Sequence, residues 1–151
     1  VDDYLRTSHE NIWAIGDCAS FPNAHTGTRT RLEAVQNATD QAATLAKTLT
    51  GAPTPYGELP WFWSIQGKHK LQIAGIAGTP DHTVQRGDPA TGKFSLFCFH
   101  QGTLTAVESV NSPADHLAAR RILTHQMALT PEQAADPAFN LKAYSTQPSL
   151  I

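Results

Sequence analysis

The stretch Thr7–Asp17, T-S-H-E-N-I-W-A-I-G-D, constrains this chain more than any other, because it sets four apolar residues directly before a Gly-Asp turn. Ile12, Trp13, Ala14 and Ile15 read as a short buried strand of the kind found in parallel sheets, whose ligands sit at the strands' carboxyl ends. Gly16 lets a ligand approach the backbone, and Asp17 offers two acceptor oxygens to hydroxyl groups such as those of a ribityl or ribose chain. Gly and Asp also end many strands for turn reasons alone, so the feature gains meaning only from its surroundings.

Helical signals begin near Arg31, where Leu32, Val35, Ala38, Ala42, Leu45 and Leu49 recur every three or four residues, and Gly51 stops them. The breaker-rich Gly51–Gly57 reads as a linker and places a domain boundary near Tyr56, giving segments 1–55 and 56–151. Beyond it, Leu71–Ala77, His82–Arg86, Phe94–His100 and Leu104–Val110 alternate or carry β-formers between Gly- and Pro-containing turns, as an antiparallel meander does. Two helices are predicted next, one starting at Pro113 and one capped by Thr130-Pro131-Glu132. Strands in a run followed by helices in a run predict an α+β architecture for the second segment, preceded by the strand and helix of an α/β unit.

The chain has 151 residues, 40% hydrophobic content and a net charge of −2. That balance, without a dense basic run, gives no pull toward nucleic acid, and no apolar run approaches the roughly 18 residues of a membrane span. Cys18 and Cys98 are far apart and form no C-x-x-C, which argues against paired-cysteine redox chemistry. Both read as packed residues in a reducing, cytoplasmic setting, although Cys18 follows the Gly-Asp turn and could stand near a cofactor. No histidine falls in H-E-x-x-H or at zinc spacing with cysteine. His116 and His125, nine apart, occupy different turns, so no metal site is expected. Ser64 and Ser109 lack a nucleophile-elbow context.

The spacing T-x-x-x-x-h-W-A-h-G-D, where h is apolar, resembles the second flavin-contacting motif of FAD-dependent, two-dinucleotide-fold oxidoreductases, with Trp13 in place of the usual Tyr. G-D-C-A-S-F-P-N (Gly16–Asn23), R-L-E-A-V-Q-N-A-T-D-Q-A (Arg31–Ala42), P-W-F-W-S-I-Q (Pro60–Gln66), K-L-Q-I-A-G (Lys70–Gly75), R-G-D-P (Arg86–Pro89), E-S-V-N-S-P-A-D-H (Glu108–His116) and L-T-P-E-Q-A-A-D-P-A-F (Leu129–Phe139) follow in order. Together these blocks resemble the carboxyl-terminal part of the oxygenase-coupled NADH:ferredoxin reductases, the group that includes putidaredoxin reductase, nearly end to end. No G-x-G-x-x-G occurs, so the phosphate cradle of a Rossmann unit is absent, and the strand at Ile12 has no room upstream for parallel neighbours. The expectation is a fragment: the end of an FAD domain plus a whole carboxyl-terminal domain, with little or no FAD binding and no NADH oxidation on its own.

The resemblance implies a parent that takes hydride from NAD(P)H onto FAD and passes electrons singly to a two-iron ferredoxin. It implies that Asp17, after Gly16, binds a ribityl hydroxyl, and that the backbone amides of Glu33, Ala34 and Val35 face the flavin pyrimidine ring, where a helix amino terminus favours the negative charge of reduced flavin. A packed amphipathic helix without a ligand accounts for the same periodicity. Trp61, Phe62 and Trp63 are costly to expose. The resemblance makes Trp63 a flavin-edge residue, Trp61 is the better core candidate, and a core role for all three stays open. The family commonly carries an acid where this chain has Ile65. Lys68, His69 and Lys70, with Arg86, Arg120 and Arg121 if the fold gathers them, would suit an acidic ferredoxin by electrostatic steering, or form an ordinary solvated surface. A noncatalytic interface or dimerisation module, or a reductase for rubredoxin or a nitrite-reducing module, are the competing readings.

Overall fold

A computed structural model describes residues 1–147, and their contacts divide into two units, Val1–Pro60 and Trp61 onward. The division lies past the expected 55/56 boundary because Tyr56 is core rather than linker. Its ring is buried with Leu5 and Phe21, meets Phe21 edge-on at 5.2 Å, and its amide donates to Asp3 O at 2.7 Å. The end of the 56–151 segment, residues 148–151, lies outside the described residues.

In the first unit the expected strand Ile12–Ile15 does not form. Trp13 makes one isolated antiparallel bridge to Arg6, Ala14 N–H donates to Leu5 O at 3.2 Å, and Ile12 is 53% exposed. A buried parallel strand needs ladders on both sides, whereas among the described residues its backbone pairs with the preceding arm of the same bend. A two-stranded antiparallel hairpin, β1 (Ser20–Asn23) and β2 (Thr28–Arg31), follows. Arg31 therefore ends a strand, and helix α1 runs Val35–Leu49 rather than starting at Arg31.

The buried face of α1 is also not the apolar stripe that periodicity suggests. Val35 and Leu49 are exposed, at 68% and 61%, while Asn37, Gln41 and Thr44 are buried. These three lie at one- and two-turn spacing on one side of the helix, and a buried carboxamide is tolerated only when hydrogen-bonded. The carboxamides of Asn37 and Gln41 are.

The second unit is a five-stranded antiparallel sheet of β3 (Trp61–Gln66), β4 (His69–Gly75), β5 (His82–Asp88), β6 (Lys93–His100) and β7 (Thr103–Val110), in the order β3-β4-β7-β6-β5. The alternating segments do form antiparallel strands. The meander is limited to β5-β6-β7, because β7 returns to pair with β4, and β3 was not anticipated as a strand. Gly75, at φ +79°, marks where β4 leaves β7, and a Cβ there would collide with the Thr105 carbonyl.

Helix α2 (Pro113–Thr124) packs against β4 and β7. Its first turn is tied to the sheet by Ser95 Oγ, which donates to Asp115 Oδ2 at 2.9 Å and shares a hydrogen bond with Ser109 Oγ at 3.0 Å. Helix α3 (Pro131–Ala135) opens with a capping box between Thr130 and Gln133. A further turn, α4 (Leu141–Tyr144), was not foreseen. Phe97, Phe99, Val107, Ala119 and Ile122 form the buried centre.

Arg86 organises the segment after α3. Its guanidinium donates to the carbonyls of Ala134 (3.3 Å), Asp136 (2.6 Å), Pro137 (3.3 Å) and Phe139 (2.9 Å). Charged hydrogen bonds of this kind contribute about 1.5–3 kcal/mol each when removal strands a buried partner, but these four share one group and one loop. Arg86→Ala is therefore expected to lower stability by about 2–3 kcal/mol in urea unfolding, and Arg86→Lys to recover less than half, since an ammonium cannot reproduce the planar fork. A change within 0.5 kcal/mol would contradict this role.

Candidate functional site

In the first unit the Gly-Asp motif forms a single 3-10 turn, Gly16–Cys18. Gly16 is buried at φ +75°, a conformation that disfavours any side chain. Its N–H donates to Gln41 Oε1 at 2.7 Å. Gln41 Nε2 donates to Asn37 Oδ1 at 3.3 Å, Tyr56 Oη donates to the same oxygen at 3.2 Å, and Asn37 Nδ2 donates to Leu32 O at 3.2 Å. Burial, reinforced by the Asp40 and Glu58 carboxylates, pushes the Tyr56 phenol well above its ordinary range and keeps it a donor. One buried chain of hydrogen bonds thus clamps the turn to the first two turns of α1.

Asp17 is exposed on this clamped turn. Its carbonyl accepts from Arg31 Nη1 at 3.0 Å, and Arg31 pairs with Glu33 at 2.5 Å. The Asp17 carboxylate has no hydrogen bond or ion pair among the described residues and remains available. Ala34 is the N-cap of α1 and supplies no side-chain cap, so the first-turn amides keep their donor capacity and partial positive charge. Of the predicted amides, Val35 lies in that turn, Ala34 at its cap and Glu33 before the helix. The helical amides extend instead toward Gln36 and Asn37. The arrangement is a free carboxylate and an uncapped helix terminus fixed to one another, suited to a ligand with hydroxyls and a partly negative, hydrogen-bond-accepting ring.

In the second unit, Trp61 and Trp63 alternate onto one face of edge strand β3 and stack at 5.6 Å between centroids and 30° between planes. Trp63 is 41% exposed. Trp61 is half-buried under α2, with Arg120 Cζ 4.0 Å from its ring and His116 at 5.7 Å. Ile65 is exposed and opposite Lys70, so the family's usual acid would have a cross-strand cation there.

The basic residues gather only in part. Arg86 holds carbonyls, Arg120 covers Trp61 and lines a groove with Arg121, Leu117, Thr124 and His125, and Lys68 and His69 line a separate pocket with Gly92 and Asn111. Cys98 is buried as expected, but Cys18 is exposed, with its thiol donating to Ile15 O at 3.4 Å, so the packed reading fails for it.

Gln41, Asn37, Tyr56 and His116 were not singled out as functional. For the first two a signal existed: two carboxamides one turn apart in a helix otherwise rich in Ala and Thr. Nothing in the sequence marked Tyr56, whose role depends on chain return.

With this geometry in view, residues 61–145 match the family model described as reductase C-terminal. The chain belongs to this reductase family. Residues 1–42 match the pyridine nucleotide-disulphide oxidoreductase model. Rhodocoxin reductase of Rhodococcus erythropolis is 56% identical over 142 residues, 94% of this chain and 33% of that protein. The crystal structure of the ferredoxin reductase for the CYP199A2 system of Rhodopseudomonas palustris matches with a TM-score of 0.93 and 50% identity, covering 96% of this chain and 36% of that one. The covalent putidaredoxin reductase–putidaredoxin complex matches with a TM-score of 0.89 and 32% identity, covering 94% and 34%. The chain spans about a third of the length of these reductase relatives.

Gln41→Leu should cost about 1–3 kcal/mol by leaving the Gly16 N–H without an acceptor, read as a lower urea midpoint; an unchanged midpoint would show the clamp to be incidental. A pH effect follows from His116. Burial, then the Arg120 and Lys70 charges, lower its pKa from 6.5 to about 4. The unfolded chain therefore takes up a proton between those values that the folded chain refuses. Stability should fall by roughly 2–4 kcal/mol as pH drops from 6.5 to 4 and level off below. His116→Phe should remove that slope, and a variant with the wild-type slope would contradict the assignment.

Proposed function

We propose that this chain is part of an FAD-dependent NAD(P)H:ferredoxin reductase of an oxygenase system, supplying the end of its FAD-binding domain and its carboxyl-terminal domain. The observation that carries this reading is the free Asp17 carboxylate on a turn clamped by Gln41 to an uncapped helix start. The names of the relatives, rhodocoxin reductase and a cytochrome-system ferredoxin reductase, give the reaction class.

FAD, when bound, supplies the exchange between a two-electron hydride donor and a one-electron acceptor. Gly16, buried and hydrogen-bonded to Gln41, would hold the turn against α1 rather than meet the cofactor itself, and Asp17 would accept from a ribityl hydroxyl. The amides at the start of α1, at Ala34 and Val35 with Glu33 just before them, orient the pyrimidine edge and favour its negative charge. Trp63, in the second unit, lines the flavin edge on the exit side. The acceptor is a two-iron ferredoxin, the setting cytoplasmic, and the nicotinamide site belongs to sequence outside this chain. Among the described residues no helix is long and apolar enough to cross a membrane.

A second reading, a noncatalytic interaction or dimerisation module, draws on the exposed Trp63, Ile65 and Leu117. Light scattering separates the two: a stable dimer favours the module, a monomer favours ferredoxin docking. The flavin reading is tested by Asp17→Ala in the full-length reductase. Loss of a charged hydrogen bond should weaken FAD binding roughly 10- to 100-fold, measured by flavin fluorescence titration of the apoprotein. Wild-type affinity in that variant would overturn the assignment of Asp17.

A further inference from the structure

His116 is 1% exposed on α2, and both of its ring nitrogens are without hydrogen-bond partners among the described residues. A buried imidazole in that state contributes nothing by hydrogen bonding and carries a desolvation cost that an aliphatic side chain would avoid. What remains is the contact its flat ring makes. One such contact is with Trp61, 5.7 Å between centroids and tilted by 56°.

Arg120, four residues on and so on the same helix face, places its guanidinium carbon 4.0 Å from the centre of the same indole. Trp61 is therefore held by two side chains one helical turn apart, and α2 itself is anchored by Asp115 to Ser95 on β6. On β3, Trp61 lies opposite Ala74, whose methyl group leaves room for the indole, and Trp63 lies opposite Gln72. Trp63 is 41% exposed on this edge strand. Its neighbour in the stack is Trp61, at 5.6 Å and 30°.

We propose that His116 is a positioning residue: with Arg120 it fixes the indole of Trp61, and Trp61 in turn fixes the orientation in which β3 presents the exposed ring of Trp63. The role of that ring in electron exit rests on the flavin reading above; the positioning itself does not. Side chains alternate along β3, so Trp61 and Trp63 share a face, and His116 and Arg120 of α2 lie against the first of them. Restraint applied to Trp61 reaches Trp63 through aromatic contact, which favours offset geometries at this separation.

Two indoles this close couple their transitions and give an exciton couplet in far-ultraviolet circular dichroism, whose size follows their mutual angle. The test compares His116→Leu, His116→Phe and wild type in the full-length reductase, each as a difference spectrum against its own Trp61→Phe derivative. His116→Leu fills the space without an aromatic ring, and the couplet should fall to less than half; His116→Phe should restore it. NAD(P)H-driven flavin reduction should be unchanged in both, while electron delivery to ferredoxin drops roughly tenfold in His116→Leu and recovers in His116→Phe. A wild-type couplet in His116→Leu would overturn the proposal. A lost couplet with wild-type electron delivery would support positioning by His116 and overturn the exit-side reading of Trp63. Should His116→Leu fail to fold, Arg120→Met supplies the same comparison from the other contact: a wild-type couplet there overturns the paired grip, and a diminished one supports it.

Discussion

The hydrogen bond from Gly16 N–H to Gln41 Oε1 is the constraint on which the first unit depends. It joins a glycine held at positive φ to the second turn of α1, and it satisfies a backbone donor that burial would otherwise strand. Gln41 is oriented by Asn37, and Asn37 by Leu32 O and the Tyr56 phenol. Because each member has its partner, the chain is rigid instead of merely polar. The outcome is positional: Asp17, whose carboxylate has no partner among the described residues, is carried on a turn tied to the start of the helix.

The second unit solves a related problem with different chemistry. Its sheet is fixed to α2 by the Ser95, Ser109 and Asp115 group, and its later loop is gathered by the Arg86 fork. The Arg86 guanidinium sits where four carbonyls converge and the Asp115 carboxylate accepts from Ser95 Oγ, and such charged hydrogen bonds give directional restraint that apolar packing lacks. Helix α2 can then act as a fixed support for the aromatic pair on β3. In the first unit the exposed Asp17 stands at the end of a buried hydrogen-bonded chain, and in the second the exposed Trp63 stands at the end of a series of ring contacts.

The antiparallel strands were legible because one side chain in two points into the core, so β4 to β7 alternate visibly. Strand β3 was hidden by its own composition: W-F-W is apolar on both faces and shows no period. The β1–β2 hairpin was hidden by Pro22, which argues against a strand unless it lies at an edge, as it does in this two-stranded pair. The buried face of α1 was misread for a deeper reason. Periodicity assumes that apolar residues turn inward, whereas here Asn37 and Gln41 find partners inside and Val35 and Leu49 stay outside. The Gly-Asp motif was identified, but the residues that hold it were not, since their roles arise from partners 19 and 25 positions away.

On the proposed reading, the clamped turn and the uncapped start of α1 form one half of a flavin site. Hydrogen–deuterium exchange on the full-length reductase, apo against FAD-loaded, reads those amides directly. The account predicts that FAD slows exchange at Asp17 and at Val35 to Asn37, while the pocket-lining segment around Lys68 and His69 is unaffected. Equal exchange at Val35 to Asn37 with and without FAD would contradict it.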